Sequence, residues 1–216
     1  MRISHKNKFI WISKPKTGST SYRKLLDPYS DVRSVHSGPF KHHITLKELK
    51  RTFEENDWVF EDYYKIVACR NPWSLILSLY TYSKTDINGV KFWENNHQYS
   101  PVELMSFSEW INLEKHHKWF KDKHTLEEYT DDLDGKNLAN LIFAADQDSG
   151  VFFRGMMSQC NLALENNLLD RLNVTEKSQD LITEVRDCYK SVKIDNLMNS
   201  IFSNEIELFN YTNPYI

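Results

Sequence analysis

Two short apolar runs, each passing directly into a helix-opening turn, constrain this chain most. FIWI at 9–12 leads into KPKTGSTSYRKLL, and YKIVAC at 64–69 leads into RNPWSLILSLY. A continuous apolar run of this length suits a strand covered on both faces, as in parallel sheets flanked by helices. The spacing predicts a strand over 8–13 and a helix over 19–27 with Tyr22, Leu25 and Leu26 on one face. It also predicts a helix through about Ser83 that Asn71 caps and Pro72 opens. Strands alternating with helices predict an α/β fold, a three-layer sandwich with a central, mostly parallel sheet flanked by helices.

Other elements follow from caps and periodicity. Thr45 and Glu48 form a capping box with Ile44 and Leu49 as its hydrophobic staple, so a helix should begin near Leu46. His42 and His43 then stand just outside its N-terminus. Ser106 and Glu109 make a second box, ahead of a helix carrying Trp110, Ile111, Leu113 and His117. Further helices are expected near 155–169 and 178–191, a short strand at 170–174, and a C-terminal helix ending near Tyr211. Residues 84–101 lose periodicity and read as a long loop, whose Phe92, Trp93 and Tyr99 could stack on an acceptor or simply pin the loop to the core. The acidic cluster of Glu127, Glu128, Asp131, Asp132 and Asp134 reads as solvated surface rather than a metal site.

At 216 residues the chain is expected to form one domain, 1–216, burying roughly 70% of its unfolded surface. No stretch approaches the roughly 18 apolar residues of a membrane span, and the basic N-terminus lacks the apolar core of a signal peptide. The expectation is a soluble, cytoplasmic protein with no membrane partner. Three widely spaced cysteines, Cys69, Cys160 and Cys188, fit a reducing compartment. A net charge of −3 argues against a general nucleic-acid binder. Positive charge is instead local, at 14–24 and 41–51, which points to a small anionic ligand. Oligomeric state is open.

A loop between a buried strand and a helix offers backbone N–H groups at the positive end of the helix dipole, an arrangement suited to phosphate. Gly18 would let the backbone approach, Lys16 would supply charge, and Thr17, Ser19, Thr20 and Ser21 hydroxyl donors. A surface turn followed by a Ser/Thr cap is the plainer alternative. The triphosphatase pattern GxxxxGK[ST] is absent, because Lys16 precedes the glycine. The second strand runs into Arg70 rather than an acid that could hold Mg²⁺. Arg70 with Ser78, which shares a helical face with Ser74, could grip a second phosphate; taken singly, an ion-paired arginine and a packed serine explain them as well.

Together, PKTGSTS after the first strand and RNPW…S after a later one resemble the sulfotransferases that use 3′-phosphoadenosine 5′-phosphosulfate (PAPS), in the carbohydrate-type branch with small bacterial and phage-like members. The resemblance covers residues 8–82 and implies a P-loop-like fold. It also implies that Lys16, Thr17, Gly18, Ser19, Thr20 and Ser21 hold the 5′-phosphosulfate, that Arg70 and Ser78 hold the 3′-phosphate, that PAP is the product, and that no metal is needed. The acceptor would be a hydroxyl or amine of a carbohydrate or related polar metabolite. RLNVTEKSQDL and EIELFNY resemble later family segments, and Arg154 and Gln159 an acceptor-site segment, although a surface arginine on a helix is the plainer reading of Arg154. The Gly-rich adenine clamp of the phenol and steroid enzymes is absent, leaving the adenine contacts unassigned.

Sulfuryl transfer needs a base for the acceptor proton and positive charge on the departing bridging oxygen. Lys16 is expected at that oxygen. Histidine suits the base, with His43 first, since KHHITLKEL resembles the family segment in which a histidine precedes a threonine-capped helix, and His42 second. A polar lead-in to the helix is the other reading of this pair. His116 and His117 face apart on a helix, and His5, His36, His97 and His124 read as surface. Two alternatives stay open: a P-loop kinase with a degenerate loop, and a non-catalytic nucleotide-binding module.

Overall fold

The computed structural model describes residues 1–84, 105–165 and 177–216, with the backbone of Asp86–Ile87 and Val90–Lys91. The chain forms two compact units, Met1–Arg70 with Leu126–Val174 and Asn71–Thr125 with Thr175–Ile216. In chain order the first unit opens with β1 (Arg2–Ser4), β2 (Phe9–Ile12), α1 (Ser19–Leu26), β3 (Val32–Arg33), α2 (Leu46–Glu55) and β4 (Tyr64–Cys69). The second supplies α3 (Pro72–Ser83), the strands β5 (Asp86–Ile87) and β6 (Val90–Lys91), α4 (Phe107–Ile111) and α5 (Glu114–His124). The first unit resumes with α6 (Leu126–Thr130), β7 (Leu141–Ala144) and α7 (Gly150–Cys160), and the second closes with α8 (Gln179–Tyr189), α9 (Val192–Ile201) and α10 (Ser203–Phe209).

The first unit is an open five-stranded sheet in the order β3-β1-β2-β4-β7. β2 runs parallel to β4 with Trp11 opposite Ile66, and β4 parallel to β7 with Ala68 opposite Phe143. β1 is antiparallel to both β2 and β3, so the sheet is mixed rather than mostly parallel as expected. The cause is connection length: only residues 5–8 separate β1 from β2, enough for a tight turn but not for the crossover a parallel neighbour requires.

Strand alternation divides the apolar runs between two faces. Phe9, Trp11, Ile66, Ala68 and Phe143 pack with Tyr22, Leu25 and Leu26 of α1 and Phe152 and Met156 of α7. Ile10, Ile12 and Val67 pack on the other face with Leu46, Leu49 and Phe53 of α2 and Leu126 and Tyr129 of α6. The result is three layers. Each buried aromatic removes about 150–250 Å² from water, on the order of 4–6 kcal/mol of gross stabilisation at about 25 cal/mol per Å². The Thr45 capping box forms in both directions, through Thr45 Oγ1 to the Glu48 N–H and Glu48 to the Thr45 N–H.

The second unit is helical. Asn71 Oδ1 accepts from the N–H groups of Trp73 and Ser74, with Pro72 as the first helical residue. Its core joins Tyr80, Phe107, Trp110, His116, Phe120 and Tyr189, and Tyr189 donates to the Trp73 carbonyl at 2.9 Å. The helix expected to carry both Trp110 and His117 is two helices, because Leu113 is extended (φ −73°, ψ 121°) and breaks it. His124, expected at the surface, is buried edge-on against Trp119 with ring centroids 4.4 Å apart. His116, Phe120 and His124 recur every four residues on α5, and all three are buried.

Other expectations need adjustment. The helix placed near 155–169 spans Gly150–Cys160 and stops where Asn161 turns left-handed (φ 50°), as a C-cap does. The C-terminal helix is α9 and α10, separated at Phe202 (φ −117°, ψ 28°). Within the expected loop at 84–101, Asp86–Ile87 pairs antiparallel with Val90–Lys91. Phe92, Trp93, His97, Tyr99 and the strand expected at 170–174 lie outside the described residues. His5 is half-buried, its Nδ1 2.7 Å from the Tyr63 hydroxyl, rather than fully at the surface. The three cysteines are buried and in no disulfide, and no helix among the described residues is long and apolar enough to cross a membrane.

Candidate anion-binding site

The loop after β2 is shaped by two left-handed residues, Lys16 (φ 61°) and Gly18 (φ 75°), on either side of Thr17. Gly18 is the N-cap of α1 and contributes no side-chain cap, which leaves the N–H groups of Ser19 and Thr20 without a partner inside the helix. Glycine adopts this conformation freely, whereas the same geometry at Lys16 costs about 1–2 kcal/mol. Thr17, expected to offer a hydroxyl to a ligand, instead donates it to the Lys14 carbonyl at 2.8 Å and is buried. What Thr17 retains for a ligand is its backbone N–H. Ser19 and Ser21 are half-buried and Thr20 is exposed.

Four carbonyl oxygens along this loop are each engaged by a donor from the protein. The Ser13 oxygen lies 2.6 Å from His43 Nδ1, and the Lys14 oxygen takes the Thr17 hydroxyl. The Lys16 oxygen takes Arg70 Nη1 at 2.9 Å, and the Gly18 oxygen takes the Ser21 N–H at 3.0 Å. Carbonyl dipoles repel an anion, and tying them into internal bonds lets the loop's N–H groups and cations dominate its polarity. Arg70 therefore reaches the first loop directly, from the end of the strand parallel to β2. Ser78 stands half-buried on α3 of the second unit, one turn beyond Ser74.

The two histidines hold opposite tautomers. A carbonyl only accepts, so His43 Nδ1 carries its proton to Ser13 and Nε2 is left as a lone pair. A guanidinium only donates, so His42 Nδ1, 2.9 Å from Arg23 Nη1, is the unprotonated nitrogen; it also lies 2.7 Å from the Ser34 hydroxyl. His42 is thus engaged through the atom a base would use. Loss of water around the His43 ring holds it below its ordinary 6.5, opposed by the bond to Ser13 and reinforced by the Met1 amine, Arg23 and Lys16. As a residue His43 is nonetheless exposed.

His42 is held further down, at about 4, by burial and then by Arg23. The unfolded chain binds this proton near pH 6.5 and the folded one only near 4, so the stability that His42 contributes is complete above about pH 6.5 and is lost as pH falls toward 4. His42→Gln keeps an acceptor for Arg23 without a titrating ring. Its melting temperature is expected to fall less than that of the parent chain between pH 7 and pH 4.5, as followed by circular dichroism.

Two residues of this site are legible in the sequence only as part of the basic stretch 14–24. Arg23 of α1 donates to the Ser19 carbonyl and to Thr20 Oγ1 as well as to His42. Lys14 is buried at 1% exposure beside the loop. Arg154 is exposed and paired with Asp148 at 3.0 Å, and Gln159 is exposed. An acid follows the third parallel strand, Asp146, exposed two residues beyond β7 and separated from β2 by β4. No metal-ligating cluster occurs among the described residues. Comparison with known proteins finds no family model, no curated protein and no solved structure that matches this chain.

Proposed function

We propose that this chain is a PAPS-dependent sulfotransferase that moves a sulfuryl group to a hydroxyl or amine of a carbohydrate or related polar metabolite. The observation that carries the reading is the loop after β2, whose carbonyls at 13, 14, 16 and 18 are all internally bonded while Lys16 and Arg70 flank it. The β2–loop–α1 unit is read as a P-loop-like cradle for the phosphosulfate, with the N–H groups at the start of α1 and Lys16 as its donors. The nucleotide's 3′-phosphate would fall to Arg70, already braced at the cradle. Lys16 would stabilise the bridging oxygen as it departs with PAP, and His43 Nε2 would take the acceptor proton. The absence of an acid directly after β4 supports a transferred group that needs no metal partner.

The test is ligand-dependent melting followed by transfer. PAP at one hundred times its dissociation constant adds about 2.7 kcal/mol. For a chain of this size that corresponds to a rise of roughly 5–10 °C. ATP with Mg²⁺ is expected to give little. A larger shift with ATP and Mg²⁺ would overturn the reading in favour of a kinase, with Asp146 as the acid to examine. PAP binding without sulfate transfer from PAPS across a panel of carbohydrate and amine acceptors would make the chain a binding module.

A further inference from the structure

We infer that Arg23 is a positioning residue that joins the phosphate cradle to the histidine pair, setting the place of the base and the tautomer of the neighbouring His42 without touching substrate. The inference rests on the proposed transfer for its kinetic meaning, but its geometry stands alone. Arg23 lies on the second turn of α1, and its guanidinium divides three ways. Nε donates to the Ser19 carbonyl at 3.3 Å, Nη2 to Thr20 Oγ1 at 3.3 Å, and Nη1 to His42 Nδ1 at 2.9 Å. The first two contacts belong to the opening turn of the helix that follows the loop. The third belongs to the segment that carries His43.

The network continues behind His42. The Ser34 hydroxyl, beside His42 Nδ1, accepts from Arg2 Nη1, and Arg2 pairs with Asp27. His42 is thereby fixed from α1 and from the sheet edge together, and the peptide that follows it delivers His43 to the Ser13 carbonyl. Only a planar fork with several donors can serve these directions at once, so lysine is no substitute. The charged and titratable groups facing the pair are Arg23 from α1, Lys16 from the loop, His36, whose ring meets that of His42 at 4.8 Å, and the Met1 amine. Of these, Arg23 combines its charge with a hydrogen bond to the His42 ring.

The experiment compares Arg23→Gln and Arg23→Lys in the full chain. Imidazole titrations by NMR separate charge from geometry: the glutamine variant is expected to raise the His42 pKa by about one unit or more and that of His43 by less, and the lysine variant to leave both nearly unchanged. On an acceptor that the parent chain sulfates, both variants are expected to lose about tenfold or more in kcat with the KM for PAPS little changed. Unmoved titrations in the glutamine variant would overturn the inference. So would a loss confined to KM, which would make Arg23 a ligand contact. Should the glutamine variant not fold, the lysine variant decides: reduced kcat with unmoved titrations supports positioning, and parental kcat refutes it. The titrations do not involve PAPS, so they report on Arg23 even if the sulfotransferase reading fails.

Discussion

A His43→Gln chain is expected to bind PAP as the parent does and to transfer sulfate about 10²–10⁴-fold more slowly. The expectation starts from the tautomer. Because His43 Nδ1 is held on the Ser13 carbonyl at 2.6 Å, the ring presents an unprotonated Nε2 at neutral pH. Its pKa below the ordinary histidine value keeps that nitrogen free of a proton near neutrality. A glutamine amide can still bond to Ser13 but cannot accept a proton from a hydroxyl. The loss should therefore appear in kcat, with the PAP-induced melting shift within about a degree of the parent's. In the parent the acid limb of the rate profile should lie below pH 6.5, since protonating His43 removes the base. An undiminished rate in the variant would assign the base elsewhere.

Lys16→Ala is expected to lose most of the PAP-induced stabilisation and more of the rate than of the binding. A charge-assisted hydrogen bond contributes about 1.5–3 kcal/mol, or about 10–150-fold in affinity. At a PAP concentration that adds about 2.7 kcal/mol to the parent, a tenfold loss leaves about 1.4 kcal/mol and a hundredfold loss about 0.4. The melting shift should contract to half or less. Catalysis should suffer further, because charge on the bridging oxygen grows as it departs, and removing one preorganised donor to such a charge costs about 10²–10³ in rate. The variant's unliganded melting point is expected to stay close to the parent's, since alanine meets the same left-handed backbone as lysine. A full PAP shift in the variant would remove Lys16 from the site.

The sequence was most informative where local chemistry and the core agreed. FIWI and YKIVAC are strands because each alternates its side chains between two buried faces, and Thr45, Asn71 and Ser106 cap helices because their side-chain oxygens accept from the first turn. β1, β3 and β7 have two to four residues each, and their pairing depends on distant partners that no local pattern announces. The same holds for the site. Lys16, Gly18 and His43 stand out by residue type and position, whereas the Thr17 hydroxyl turning inward, Lys14 becoming buried and Arg23 reaching His42 are tertiary outcomes. For Arg23 a signal existed in its spacing of four and three from Ser19 and Thr20, but arginine on a helix ordinarily faces water.

Position 16 shows how this loop sets persistence of the fold against its use. A left-handed backbone favours glycine there, so a population under pressure for thermal endurance alone would drift toward glycine and gain from the exchange. Lysine at this position carries a standing conformational penalty, which the proposed contact with an anion would offset. If the proposed anion chemistry holds, glycine at this point in related chains of the same architecture would mark a lineage that had given it up, and lysine one still selected for it.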